Sequence, residues 1–184
     1  MGNFATDQLT TLYFGYGAYR SKALFEEILG HPLHDGYGAI LHNYQLAYQT
    51  LNDIPEIPRA ILQKSWGEHF RCYTIVPGIN IITGVIWELT DADLLRLKKW
   101  EFDTVWKEFI PVEVTIHSGK KINAITEKSL SAFPVTKFVD GLLYETNLNP
   151  IGRMVAQEFS KEELANARKM LEQLSLIGKT SERL

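Results

Sequence analysis

Glu101 is the residue whose type and position point most directly to chemistry. At about 100° per residue, Leu94, Leu97 and Glu101 project onto one narrow helical stripe, with the carboxylate between the two leucines. Two readings follow. Either the helix ends at Trp100 and Glu101 faces solvent, or its carboxyl is desolvated beside Leu94, Leu97 and Trp100. In the second case burial disfavours the charged form and lifts the pKa toward neutrality, where a general base and acid must work.

The stretch LYFGYGAYRS, Leu12 to Ser21, places Tyr13, Phe14, Gly15, Tyr16 and Gly17 where an ordinary strand would simply end. Glycine here either supplies the positive φ of a tight turn or lets backbone amides approach a bound group without an intervening side chain. The stretch lacks the third glycine and downstream acid of a dinucleotide fingerprint, and it lacks the Gly-Lys-Ser/Thr of a P-loop.

Other reactive side chains form no recognisable set. Pro32 separates His31 from His34 and no clustered acid or cysteine joins them, so no metal is expected. Cys72 lies in an apolar run, where packing is the common use of a thiol. Ser65, Ser129 and Ser131 lie in no nucleophile elbow. Trp66, Trp87, Trp100 and Trp106 fit either a pocket wall or an aromatic core.

Several elements must position these residues. Thr11 to Tyr16 reads as a strand, and Ser21 caps a helix from Lys22 to Leu29 that Gly30 closes. Gly38 to Leu51 suggests one or two strands around a bend at His42-Asn43. Asp53 to Glu68, with Pro55 and Pro58, reads as an irregular excursion holding at most a helical turn near Arg59 to Lys64. Arg71 to Val76 and Ile81 to Leu89 read as a hairpin about Pro77-Gly78-Ile79-Asn80. Thr90 caps the helix that ends near Trp100 or Glu101, with Asp91 and Asp93 at its positive end. Glu108 to His117 and Lys121 to Glu127 pair around Ser118-Gly119-Lys120. Ser160 to Glu163 forms a capping box before a terminal helix whose Leu164, Ala167, Leu171 and Leu174 recur at helical spacing. Hairpin-joined strands outnumbering helices argue for an α+β fold, with a small mixed or antiparallel sheet curled toward a barrel and flanking helices.

The 184 residues fit one domain, 1–184, with frayed ends at 1–10 and 178–184. Hydrophobic residues make up 45%, enough for a sizeable core. The 19 basic and 22 acidic residues are spread along the chain, which predicts no nucleic-acid partner. No apolar run reaches the length of a membrane span, so a soluble protein without a membrane partner is expected. A single cysteine excludes an internal disulfide and favours a cytoplasmic location.

With the glycine turn and the odd glutamate in hand, the chain resembles the gamma-glutamylcyclotransferase-like (AIG2-like) family. LYFGYGAYRS is similar to its opening Tyr-Gly-Ser-Asn loop. CYTIVPGINIITGVIWELTDADLLRLKKWE is similar to the segment that ends in its catalytic glutamate, and FIPVEVTI to the following strand. The resemblance implies a small β-barrel with flanking helices and no cofactor. It also implies intramolecular aminolysis, in which the α-amine of a small γ-glutamyl substrate attacks its own γ-carbonyl and releases 5-oxoproline. Glu101 matches the family's base and acid. Tyr13, Phe14, Gly15, Tyr16, Gly17, Ala18 and Tyr19 match its substrate loop, where backbone amides would meet an oxyanion or a carboxylate.

Two departures accompany the match. Ala18 and Tyr19 replace the loop's Ser-Asn pair, and Phe109 lies where the family can have a substrate-contacting tyrosine. YETNLNPIGRM is a faint counterpart of a later family loop. Three readings therefore stand side by side: a cyclotransferase-like enzyme, a non-catalytic small-molecule-binding module on the same fold, and a partner-binding protein that docks through its terminal helix. Substrate identity and oligomeric state stay open.

Overall fold

The computed structural model describes residues 10–139 and 159–181. In chain order the elements are β1 (Thr10–Gly15), a 3-10 turn (Gly17–Arg20), α1 (Lys22–Leu29), β2 (Tyr37–Thr50), α2 (Glu56–Trp66), β3 (Arg71–Thr90) and α3 (Asp91–Trp100). Then come β4 (Lys107–Ile116), β5 (Lys121–Ser129), β6 (Lys137–Phe138) and α4 (Lys161–Ser181). The expected fraying at 1–10 falls almost wholly outside the described residues. At the other end α4 continues past Gly178 to Ser181. The YETNLNPIGRM stretch also lies outside them.

The sheet runs β3-β1-β5-β4-β2-β6, and β3 also pairs with β2, so five strands close on themselves with β6 at the margin. All pairs are antiparallel except β1 with β5, joined at Tyr13 and Ile125. This is the α+β, barrel-like sheet with flanking helices that the sequence predicts. Closure leaves few exposed edges and divides the apolar residues in two. Phe14, Leu41, Ile82, Ile86 and Val114 fill the ring, whereas Tyr13, Phe25, Trp87, Leu97 and Met170 pack between the ring and the helices. Alternation along β1 does this sorting, because successive side chains point to opposite faces.

Two expectations are corrected. Pro77 to Asn80 is not a hairpin turn: β3 is one strand of 20 residues, and both halves pair with β2 rather than with each other. The register shifts between His42 and Tyr44, where Asn43 adopts φ 63°. The punctuation therefore marks a bulge, one of the places in a ladder where a proline without an N–H is tolerated. Asp53 to Glu68 is not irregular either, since α2 occupies Glu56 to Trp66. Pro55 sits at its N-cap and Pro58 in its first turn, where an amide has no intrahelical acceptor to lose. Its buried residues Pro58, Ile61, Leu62 and Ser65 keep helical spacing.

The terminal helix uses its apolar face within the chain: Ala167, Met170 and Leu174 are buried, and Arg168 pairs with Glu27 of α1. Its capping box is present, Ser160 and Glu163 exchanging backbone-to-side-chain hydrogen bonds of 2.8 and 3.1 Å.

α3 is held at both ends. Thr90 Oγ1 accepts from the Asp93 amide at 3.2 Å, and Asp93 Oδ2 accepts in return from the Thr90 amide at 3.1 Å. At the far end the amides of Asp103 and Phe102 donate to the carbonyls of Lys98 (2.9 Å) and Lys99 (3.3 Å), a Schellman closure about Glu101. Phe102 takes the left-handed position with φ 52°, where glycine is usual, and its buried ring offsets that strain. Replacing Thr90 with Ala is expected to lower stability by about 1 kcal/mol, seen as a lower denaturant midpoint at unchanged slope.

Candidate functional site

Glu101 is the C-cap residue of α3, where its amide donates to the Leu97 carbonyl at 2.9 Å, and only 7% of its surface is exposed. The desolvated alternative of the two sequence readings is the one observed. The side chain lines a cavity of about 270 Å³ between the sheet and the helices.

Two further charged groups line the same cavity and escaped the sequence reading. Glu127, on β5, is 2% exposed, and Lys107, on β4, is 1% exposed. Glu127 Oε2 accepts a hydrogen bond from the Tyr13 hydroxyl at 2.5 Å, and its backbone carbonyl accepts from the Tyr16 hydroxyl at 2.9 Å. Lys107 Nζ donates to the Tyr73 carbonyl at 3.3 Å and lies 4.5 Å from the Trp106 ring centroid. Strand alternation carried a faint signal for both, since it places Glu127 on the face of Ile125 and Lys107 on that of Phe109.

The two carboxyls hold each other's titration. Burial raises the pKa of Glu101, and the Lys107 ammonium opposes that rise. Burial also raises Glu127, the charge of Glu101 raises it further, and the Tyr13 hydrogen bond opposes. Like charges in one dry space repel, so the first carboxylate to form disfavours the second. Both carboxyls therefore titrate above the ordinary carboxylate range in two coupled steps, and between those steps the pair holds one proton. Burial, joined by the two glutamates, pushes the Tyr13 and Tyr16 hydroxyls far up, so both stay donors. Burial likewise raises the Cys72 thiol, which keeps it protonated and a poor nucleophile.

The structure gathers some of the residues singled out from the sequence and not others. Tyr16, Ala18, Tyr19 and Glu101 line the cavity. Tyr13 lies behind it and reaches it through Glu127. Phe14 points into the ring core. Phe109 packs near Tyr13, with ring centroids 6.4 Å apart, under the Lys98 ammonium. Neither Phe14 nor Phe109 is among the cavity's lining residues.

Gly15 and Gly17 answer to the protein's own side chains. A Cβ at Gly15 would lie 2.7 Å from the Tyr19 carbonyl oxygen. Gly17 has φ 56°, and a Cβ there would lie 2.6 Å from the Tyr73 ring. Their absence of side chains lets the 3-10 turn fold tightly enough to bring Ala18 and Tyr19 to the cavity. Among the described residues no group of three or more His, Cys, Asp or Glu side chains is placed to hold a metal ion. No helix among them is long and apolar enough to cross a membrane.

Linkage fixes a sign. A carboxyl whose folded pKa is raised contributes stability that is full below its unfolded pKa and is lost as pH rises through the folded one. The wild type should therefore lose stability from about pH 5 upward through neutrality relative to a Glu101→Gln/Glu127→Gln double variant. The comparison cancels His31, whose pKa is raised by Asp93 and titrates in the same direction. Parallel midpoint-against-pH curves for the two proteins would contradict the assignment.

Comparison with solved structures places the fold. A gamma-glutamyl cyclotransferase matches with a TM-score of 0.59 at 15% identity, over 88% of this chain and 99% of that one. An uncharacterized protein from Homo sapiens matches with a TM-score of 0.58 at 15% identity, over 90% of this chain and 98% of that one. YkqA from Bacillus subtilis matches at 0.55 and 17% identity, over 90% of this chain and 54% of that longer one. No protein-family model and no curated protein matches the sequence. At these identities the likeness establishes the fold, which is the gamma-glutamyl cyclotransferase-like fold that the sequence resemblance implies.

Proposed function

We propose that this chain, built on the gamma-glutamyl cyclotransferase-like fold, catalyses intramolecular aminolysis of a small γ-glutamyl amide and releases 5-oxoproline. The observation that carries the reading is Glu101, desolvated at the end of α3 and facing a cavity shared with Glu127 and Lys107. Nucleophile and electrophile belong to one substrate, so much of the orientation entropy is already spent and a well-placed proton acceptor is the main requirement.

The steps balance without a cofactor. Glu101 takes a proton from the substrate's α-ammonium, and the freed amine attacks the γ-carbonyl carbon. A new C–N bond closes the lactam and the bond to the leaving nitrogen breaks as that nitrogen takes up one proton; the lactam nitrogen sheds its second proton, which departs with the released amine as its ammonium. Glu127, when it carries the pair's proton, is the donor at hand, and the proton left on Glu101 then restores it. Lys107 supplies a positive charge for a substrate carboxylate.

One observation favours the binding-only alternative: Ala18 presents a methyl group to the cavity where the resemblance has a serine. The two readings separate on 5-oxoproline release from a panel of γ-glutamyl amino acids, γ-glutamylamines and glutathione. Glu101→Gln is expected to cut turnover by at least about 100-fold while substrate binding persists. Turnover that survives the substitution would remove Glu101 as the base. A folded wild type that binds panel members without turning them over would establish the binding module.

A further inference from the structure

Glu101, Lys107 and Glu127 reach the cavity from the end of α3, from β4 and from β5, and the part of the lining that α2 and α4 supply differs sharply in chemistry. Leu62 and Trp66 of α2 and Met170 of α4 form that part, and Phe70, Phe159 and the Trp100 ring join them in the lining. Leu62, Phe70 and Phe159 carry no polar side-chain atom. The indoles carry one donor each, and every one is committed within the protein. Trp66 Nε1 donates to Met170 Sδ at 3.4 Å, and Trp100 Nε1 to the Tyr19 hydroxyl at 3.0 Å. Trp106, beside Lys107, donates to Gln49 Oε1 at 3.0 Å. These rings therefore present only carbon to the cavity.

The exposed rim adds two charges, Arg71 and Glu163. The Arg71 guanidinium lies 5.5 Å from the Tyr48 ring centroid. Glu163 accepts from the Ser160 amide in the capping box. Against Trp66, Phe70 and Met170 a second charge on a substrate, such as the carboxylate of a leaving amino acid or the ammonium of a diamine, would be desolvated, because Arg71 and Glu163 stand at the exposed rim. An apolar group there would lose only its contact with water.

We infer that the leaving group is the amine of an uncharged apolar or aromatic side chain, seated between α2 and α4 against Trp66 and Met170. This specificity rests on the proposed aminolysis: the γ-glutamyl end sits among Glu101, Glu127 and Lys107, its α-nitrogen forms the lactam, and the scissile nitrogen leaves carrying the apolar group. The helix that the prolines hide in the sequence is thus the element that selects the substrate.

Three substrates with one γ-glutamyl end test the inference: γ-glutamyl-2-phenylethylamide, γ-glutamylglycine and γ-glutamyl-1,4-diaminobutane. The expected kcat/KM for the phenylethylamide exceeds that for each of the other two by at least about tenfold, the scale of burying one aromatic group. Trp66→Ala should erase that preference and Trp66→Phe should retain most of it. Equal turnover of all three, or a preference for a charged one, overturns the apolar subsite and leaves the Glu101 reading standing. If the wild type turns over none, the aminolysis reading fails, and tryptophan fluorescence titration with 2-phenylethylamine against 1,4-diaminobutane decides the subsite. Saturable binding of the aromatic amine alone, weakened in Trp66→Ala, upholds it; no binding, or equal binding of both amines, overturns it.

Discussion

Two carboxylic acids and one ammonium, each almost wholly buried, line one cavity, and the cost of ionising them there governs the rest of the site. A lone buried carboxylate would simply take up a proton and become inert at neutral pH. Lys107 offsets part of that cost at Glu101, and the Tyr13 hydroxyl offsets part of it at Glu127, so the pair stays poised to hold one proton. The groups come from three elements, α3, β4 and β5, and only the closed sheet brings them together. The doubly closed end of α3 and the tight 3-10 turn are the local devices that hold their positions.

Function divides along the same lines as the fold. The sheet and α3 supply acid, base and cation, as the proposed chemistry requires. The helices α2 and α4 cover the cavity with carbon, and their indole donors are satisfied elsewhere. On the proposed reading one side of the cavity moves protons, while the other discriminates among substrates by what it declines to hydrogen-bond.

Much of this was readable in the sequence where local rules are strong. The caps at Ser21, Thr90 and Ser160, the Ser118-Gly119-Lys120 turn and the stripe bearing Glu101 all depend on neighbours a few residues away. The errors fall where partners are distant. Pro77-Gly78 looks like a hairpin until β2 is seen to pair with both halves of β3. Pro55 and Pro58 look like helix breakers until they fall at the N-cap and in the first turn of α2. Glu127 and Lys107 each sit in strands that alternate only weakly, so only a faint signal marks them as buried; their meaning comes from sharing one cavity with Glu101. Gly15 and Gly17 were visible as special, although their reason is the approach of Tyr19 and Tyr73.

The claim on which the account turns is that Glu101 and Glu127 keep one proton between them at neutral pH. Infrared difference spectroscopy of the carboxyl C=O stretch on the wild-type protein reads that proton directly. A protonated-carboxyl band at neutral pH, weakened in Glu127→Gln and absent from the Glu101→Gln/Glu127→Gln double variant, is the predicted result. A wild type with no protonated carboxyl at neutral pH would contradict the shared proton and the division of labour built on it.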